Sequence, residues 1–264
     1  MSQPTMRMDF PKPRGAVRVL LFVLGGLSIA NAILFNWMGE TRPFEWMVAD
    51  GRTLPLQVFR LVTSLLLTSP ERYTHVLFSL MLLYFFGPAV ESQTGPRKFL
   101  ALFFGGGILG TLLGFAGNAT GIARFQSPFF FGPTAALETL VVAWSMQNPN
   151  AVVQMFFVLP LRGAWMKWIS LAFCVLGLLY KDAAPEGALA GFGGFLVGVA
   201  FGKSPSPLRT FFLRRKLGQL ETARDRAQGR GKGGPPLRVV YGGLADELDL
   251  GKGKKPPRDK RTLN

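Results

Sequence analysis

Six stretches of this chain are apolar for long enough to form helices outside water, separated by short polar or turn-forming breaks. They cover roughly 17–37, 73–90, 99–117, Pro133 to just before Asn148, 164–180 and 186–202. An apolar run of about 18 or more residues with few charges reads as a membrane-spanning helix. The pattern therefore predicts an all-α polytopic membrane protein. The fourth stretch is short for a span, so its start after the preceding loop implies irregular backbone at membrane depth. That is tolerated only inside protein or against a water-filled cavity. Between the first two spans, residues 38–72 mix polar positions with Phe44, Trp46 and Met47, and carry Pro43, Gly51 and Pro55. Elements lying in the membrane interface are expected there. The run "AVVQMFFVLP" (151–160) is too short to span alone. The first run follows Arg7, Lys12 and Arg14 and is longer than a signal-peptide core, which makes it an uncleaved first span closing at Asn36-Trp37.

Two of the spans carry stripes of glycine. Gly187, Gly191, Gly194, Gly198 and Gly202 in the sixth, and Gly107, Gly110, Gly114 and Gly117 in the third, recur every three or four residues. Each set lies on one helix face and lets neighbouring backbones approach closely, as helix packing in lipid requires.

Charge sits at the ends. The chain's formal +15 includes four basic residues against Asp9 in 1–18, and sixteen basic against six acidic in 203–264. This gives three regions: a basic N-terminus (1–16), a six-helix membrane domain (17–202) and a basic tail (203–264). The Lys/Arg bias, with Arg97, Lys98 and Arg162 on the side of the basic ends, predicts both termini in the cytoplasm. A bacterial plasma membrane suits this arrangement. In the tail, "LRTFFLRRKLGQLETARDRA" (208–227) can form a basic amphipathic helix on an anionic leaflet, and the Gly/Lys/Pro-rich remainder reads as disordered. The tail lacks the aromatic interleaving of nucleic-acid binders. Cys174 is the single cysteine, which excludes an intrachain disulfide, and no zinc, Walker or dinucleotide motif is present. No cofactor or metal is expected.

Candidate chemistry begins at "FFFGPTAALETL" (129–140), where a Gly-Pro-Thr-Ala turn opens an apolar helix and Glu138 follows one turn later. Upstream is "FRLVTSLLLTSPERYTHVLFSLMLLYFFGPAVESQTG" and downstream "GALAGFGGFLVGVAFG". From about Phe59 to Gly202 this order and spacing resembles the rhomboid intramembrane serine proteases. The resemblance sets Phe59-Arg60 on the family's first-loop Trp-Arg, His75 and Ser79 on its His-x-x-x-Asn, and Gly87 and Glu91 on its Gly-x-x-x-Glu. It sets Thr134 at the serine nucleophile, Ala135 at the glycine after it, and Gly191 at the histidine base, followed by the helix-packing Gly194 and Gly198. His75 and Ser79 then hold the oxyanion-side positions, Ser79 in place of an asparagine. Glu138 stands where the family has an aromatic residue.

A hydroxyl is a weak nucleophile without an adjacent base. His75, the only histidine, falls on the oxyanion side. The resemblance therefore implies a degenerate rhomboid that binds transmembrane clients in a laterally open cavity without cleaving them. A divergent protease using Thr134 is the alternative. Glu138 could serve it as a base from i+4, and His75 could do so after rearrangement. More simply, Glu138 is expected to pair with His75 or to bind water in the cavity. An ion or solute carrier using Glu138 and His75 is a third class, opposed by the lack of an inverted repeat.

Overall fold

The structure, a computed structural model, describes residues 13–50, 57–155, 159–180, 185–203 and 213–222. The chain divides into two units, Met1–Leu213 and Arg214–Asn264. In the first, the elements in chain order are α1 (Gly15–Trp37), α2 (Arg42–Met47), α3 (Arg60–Thr63) with a 3₁₀ turn over Ser64–Leu66, α4 (Tyr73–Thr94), α5 (Pro96–Ala119), α6 (Thr134–Gln147), a hairpin of β1 (Val152–Met155) and β2 (Leu159–Arg162), α7 (Gly163–Leu179) and α8 (Ala190–Phe201). In the second unit the described part is helical over 214–222, inside the basic amphipathic segment. The extreme N-terminus with Arg7 and Lys12, the loop residues Gly51 and Pro55, and most of the tail lie outside the described residues.

The six longest helices fall on the six apolar stretches. Three of them, α1, α4 and α5, are long and apolar enough to cross a membrane; α7 and α8 are shorter apolar helices. Their outward faces carry Val19, Phe22, Ile29 and Ile33 on α1, and Val175 and Leu179 on α7. Such faces suit lipid. Trp37 closes α1 and is 87 % exposed, where an interfacial tryptophan belongs.

α6 is the centre. Ten consecutive or near-consecutive residues from Ala135 to Ser145 are buried around its full circumference, as in a helix enclosed on all sides. Its closest neighbours are α5 and α8, and these three helices meet through small residues. Gly110 faces Ala135 and the Ala190 carbonyl, Gly194 faces the Ala135 carbonyl, and Gly198 and Gly202 face Val142 and Ala143. Two contacts fall outside the expected stripes. Gly106 faces Thr139, and Gly193 abuts the Gly110 backbone, where a Cβ would come within 2.5 Å of the Gly110 nitrogen. Gly107 packs under Leu65 of the first loop rather than against a helix, and Gly87 packs on Val17 of α1.

Polar side chains fix the two ends of the bundle. At one end Glu91, near the end of α4, accepts Ala16 N–H at 2.7 Å and Val17 N–H at 3.2 Å, so it caps α1 from another helix. The first N–H groups of a helix have no partner within it and sit at the positive end of its dipole. Glu91→Ala is expected to cost about 2–3 kcal/mol, the scale of hydrogen bonds to a charged acceptor. Glu91→Gln should cost roughly half as much. Thermal unfolding of the two variants in detergent checks this, and equal midpoints for Glu91→Ala and the native protein would reject it. Gln93 and Asn148 join the ends of α4 and α6 on the same side. At the other end Arg124 donates to the Gly177, Leu178 and Tyr180 carbonyls, closing the C-terminus of α7. In the first loop Arg60 Nη1 donates to the Val48 carbonyl at 3.4 Å.

Residues 152–155 and 159–162, within and after the run too short to span alone, pair as antiparallel strands, Val152 with Arg162 and Met155 with Leu159, which satisfies the strand backbones locally. The sixth helix also starts later than expected. Gly187 has φ +96, a conformation that ends helical geometry, so residues 185–189 form turns and α8 begins at Ala190.

Candidate functional site

The head of α6 is set by Gly132-Pro133. Gly132 has φ +126 and donates its N–H to the Ser64 carbonyl, while Pro133, with no N–H to leave unpaired, precedes the first helical turn. Thr134 is thereby presented as the first residue of α6, facing the N-terminal end of α4. Its Oγ1 lies 3.5 Å from Nε2 of His75. The resemblance sets His75 on the oxyanion side rather than beside the Thr134 hydroxyl, and the fold brings the two together.

The imidazole is oriented by its other nitrogen. His75 Nδ1 accepts the Ser69 N–H at 3.0 Å. A neutral ring with an accepting Nδ1 carries its hydrogen on Nε2, and a protonated ring carries one there as well. In both states Nε2 offers Thr134 a donor. A general base needs the opposite, a lone pair directed at the hydroxyl.

The remaining positions are less engaged. Ser79 is buried one turn further along α4, and its hydroxyl makes no hydrogen bond with Thr134 or His75. Gly191 lies at the start of α8 with no side chain to offer, and a Cβ there would meet Cys174 Sγ at 2.9 Å. Glu138 does not pair with His75, and it does not face Thr134. The turn of α6 directs it to α7, where it accepts the Ser170 hydroxyl and lies 3.8 Å from Cys174 Sγ. The expectation of a Glu138–His75 pair therefore fails for a simple reason: the two residues address different neighbours of α6.

His75 faces a carboxylate that sequence reasoning missed. Glu186, in the turn before α8, is 1 % exposed. Its Oε1 accepts the Thr134 N–H at 2.7 Å and lies 3.7 Å from His75 Nε2. Both Thr134 and Glu186 approach the same ring nitrogen, so the three residues are not a relay through the two sides of an imidazole. In "KDAAPEG" this glutamate reads as part of a polar loop, and no spacing rule marks it.

Thr134, Glu138 and Gly191 open onto one groove of about 740 Å³. Its apolar walls include Phe78 and Met81 of α4, and Ile169 and Phe173 of α7. α7 packs on α6 and α8 rather than on α4, so the gap between α4 and α7 is what forms the groove. Among the described residues no group of three or more His, Cys, Asp or Glu side chains could hold a metal ion.

Comparison with known proteins agrees with this layout. A family model for the Rhomboid domain matches residues 55–205. The chain is also similar to the Bacillus subtilis (strain 168) protein named "Putative rhomboid protease YdcA", with 30 % identity over 97 residues. That match covers 37 % of this chain and 44 % of the relative, so it spans less than half of either. The domain match takes in Arg60, the His75 helix, the Thr134 turn and the α8 glycines together, and this chain belongs to the rhomboid family.

Proposed function

We propose that this chain is a proteolytically silent rhomboid that holds transmembrane segments of client proteins in the groove between α4 and α7. One observation carries the reading: nothing beside Thr134 can take its proton through an imidazole. With Nδ1 accepting the Ser69 N–H, the ring hydrogen sits on Nε2 and makes it a donor toward Thr134, and Gly191 brings no side chain. Removal of general-base assistance alone typically costs about 10²–10⁴ in rate.

The groove supplies what client binding needs. Its wall is overwhelmingly apolar, and Glu138 with Ser170 gives it a polar point where a client's exposed backbone or donor side chain can bond. In this reading six spans put both termini on one side, and the Lys/Arg bias and the helix over 214–222 support that side being the cytoplasm, with the basic tail near an anionic leaflet. The second reading, a divergent protease using Thr134, is favoured by the 3.5 Å approach of Thr134 to His75.

A photo-crosslinking amino acid at Phe173, in the groove, should capture transmembrane proteins in native membranes. The same probe at Phe22, on the exposed outer face of α1, should capture far fewer. Equal capture from both positions would sink the groove assignment.

A further inference from the structure

Glu186 does not line the groove, yet it is the most completely buried carboxylate facing the site. Two groups from different elements approach its Oε1: the first N–H of α6 donates to it at 2.7 Å, and Nε2 of His75 lies at ion-pair distance, 3.7 Å. The helix end alone attracts negative charge. The imidazole, held in place by the Ser69 N–H, brings a second polar group to the same oxygen. Gly132 makes the room, because a Cβ there would overlap Oε1. Among the described residues the other oxygen, Oε2, is buried with no hydrogen-bond partner.

We propose that the head of α6 is a carboxylate-binding site and that Glu186 is its resident, displaceable ligand. The donor set explains why a carboxylate sits there, and the unpartnered Oε2 explains why it can leave. A buried acceptor without a partner keeps its desolvation penalty, so the closed arrangement works against itself. A small external carboxylate takes over both groups while Glu186 turns outward and regains its partners in water. The turn allows this motion: Gly187 follows at φ +96, and Gly187 and Ala188 form part of the groove wall. Departure of Glu186 therefore reshapes one side of the groove.

Formate is the probe, added to the purified full chain in detergent against sodium chloride at matched ionic strength. In Glu186→Ala, formate should raise the thermal midpoint by a few degrees in a dose-dependent way, as a ligand of the folded state does. Adding His75→Ala should shrink that rise. The native protein should respond in the same direction but only at higher formate concentration, because its tethered carboxylate competes at high effective concentration. A folded Glu186→Ala with no response beyond chloride, or a native protein with no response at any formate concentration, overturns the proposal.

Glu186→Gln provides a test that does not depend on the alanine variant folding. His75 is the only histidine in the chain, so ¹⁵N-histidine labelling gives one ring to follow by NMR. Replacing the anion by an amide should move the Nε2 resonance and leave Nδ1 in place. An unmoved Nε2 resonance overturns the proposal. Neither outcome bears on whether clients occupy the groove.

Discussion

Alanine at Gly194 should leave little or no folded protein. The added Cβ would overlap the backbone carbonyl of Ala135, which cannot swing aside as a side chain would. Ala135 is held from its other side, where it faces Gly110 of α5, so relief requires α8 to move away from α6. Overpacking of a filled core typically costs about 1–3 kcal/mol, and more when backbone is the obstacle. Helix association in a bilayer has no hydrophobic force to offset it and depends on this close packing. Gly105→Ala is the matched control. It sits in a glycine run on a neighbouring helix, but a Cβ added there would have nothing within 4 Å. It should be neutral or slightly stabilising, since alanine lowers the entropy of the unfolded chain. The check is the folded yield of each variant by size-exclusion chromatography in detergent, together with its unfolding midpoint. Similar behaviour of the two would show that the α6–α8 contact is not tight.

The second large effect is a gain. Gly191→His alone should fail to create an active hydroxyl, because the new Cβ meets Cys174 Sγ at 2.9 Å. Combined with Cys174→Ala and Thr134→Ser, the imidazole has room beside a less crowded nucleophile on the same groove. Its reaction with a fluorophosphonate should exceed that of the native protein by about 10² or more, the lower range of general-base assistance. Adding Glu186→Ala should raise it again. That change frees the Thr134 N–H, now occupied at 2.7 Å by a carboxylate, to stabilise a developing oxyanion. A triple variant that folds yet reacts no faster than the native protein would mean that Gly191 does not face Thr134 productively.

Much of this arrangement was legible in the residues, and the exceptions have physical causes. Hydrophobic runs located the long helices because lipid-facing and core-facing positions are both apolar. The resemblance set Thr134 and His75 in one site but put the imidazole on the oxyanion side, so its approach to the Thr134 hydroxyl was not legible. The glycine seam was legible only in part. Spacing selected Gly107 from the run 105–107 and Gly194 from the pair 193–194, whereas the fold uses Gly106 and Gly193 as well. Adjacent glycines point to different faces, and composition cannot say which face meets a neighbour. The direction of Glu138 was hidden for a related reason. Sharing a face with Thr134 at i+4 does not decide whether α4 or α7 lies opposite. Glu186 was hidden entirely. Its burial comes from a loop turned inward at Gly187 and accommodated by Gly132, which lies two helices earlier in the chain, beyond the reach of any local pattern.

The first measurement to make is fluorophosphonate labelling of the native protein in detergent, beside Thr134→Ala. With Nε2 of His75 a donor and no side chain at Gly191, neither protein should label above background. Labelling of the native protein that disappears in Thr134→Ala would show that the Thr134 hydroxyl is still activated, and the silent-rhomboid reading would fall.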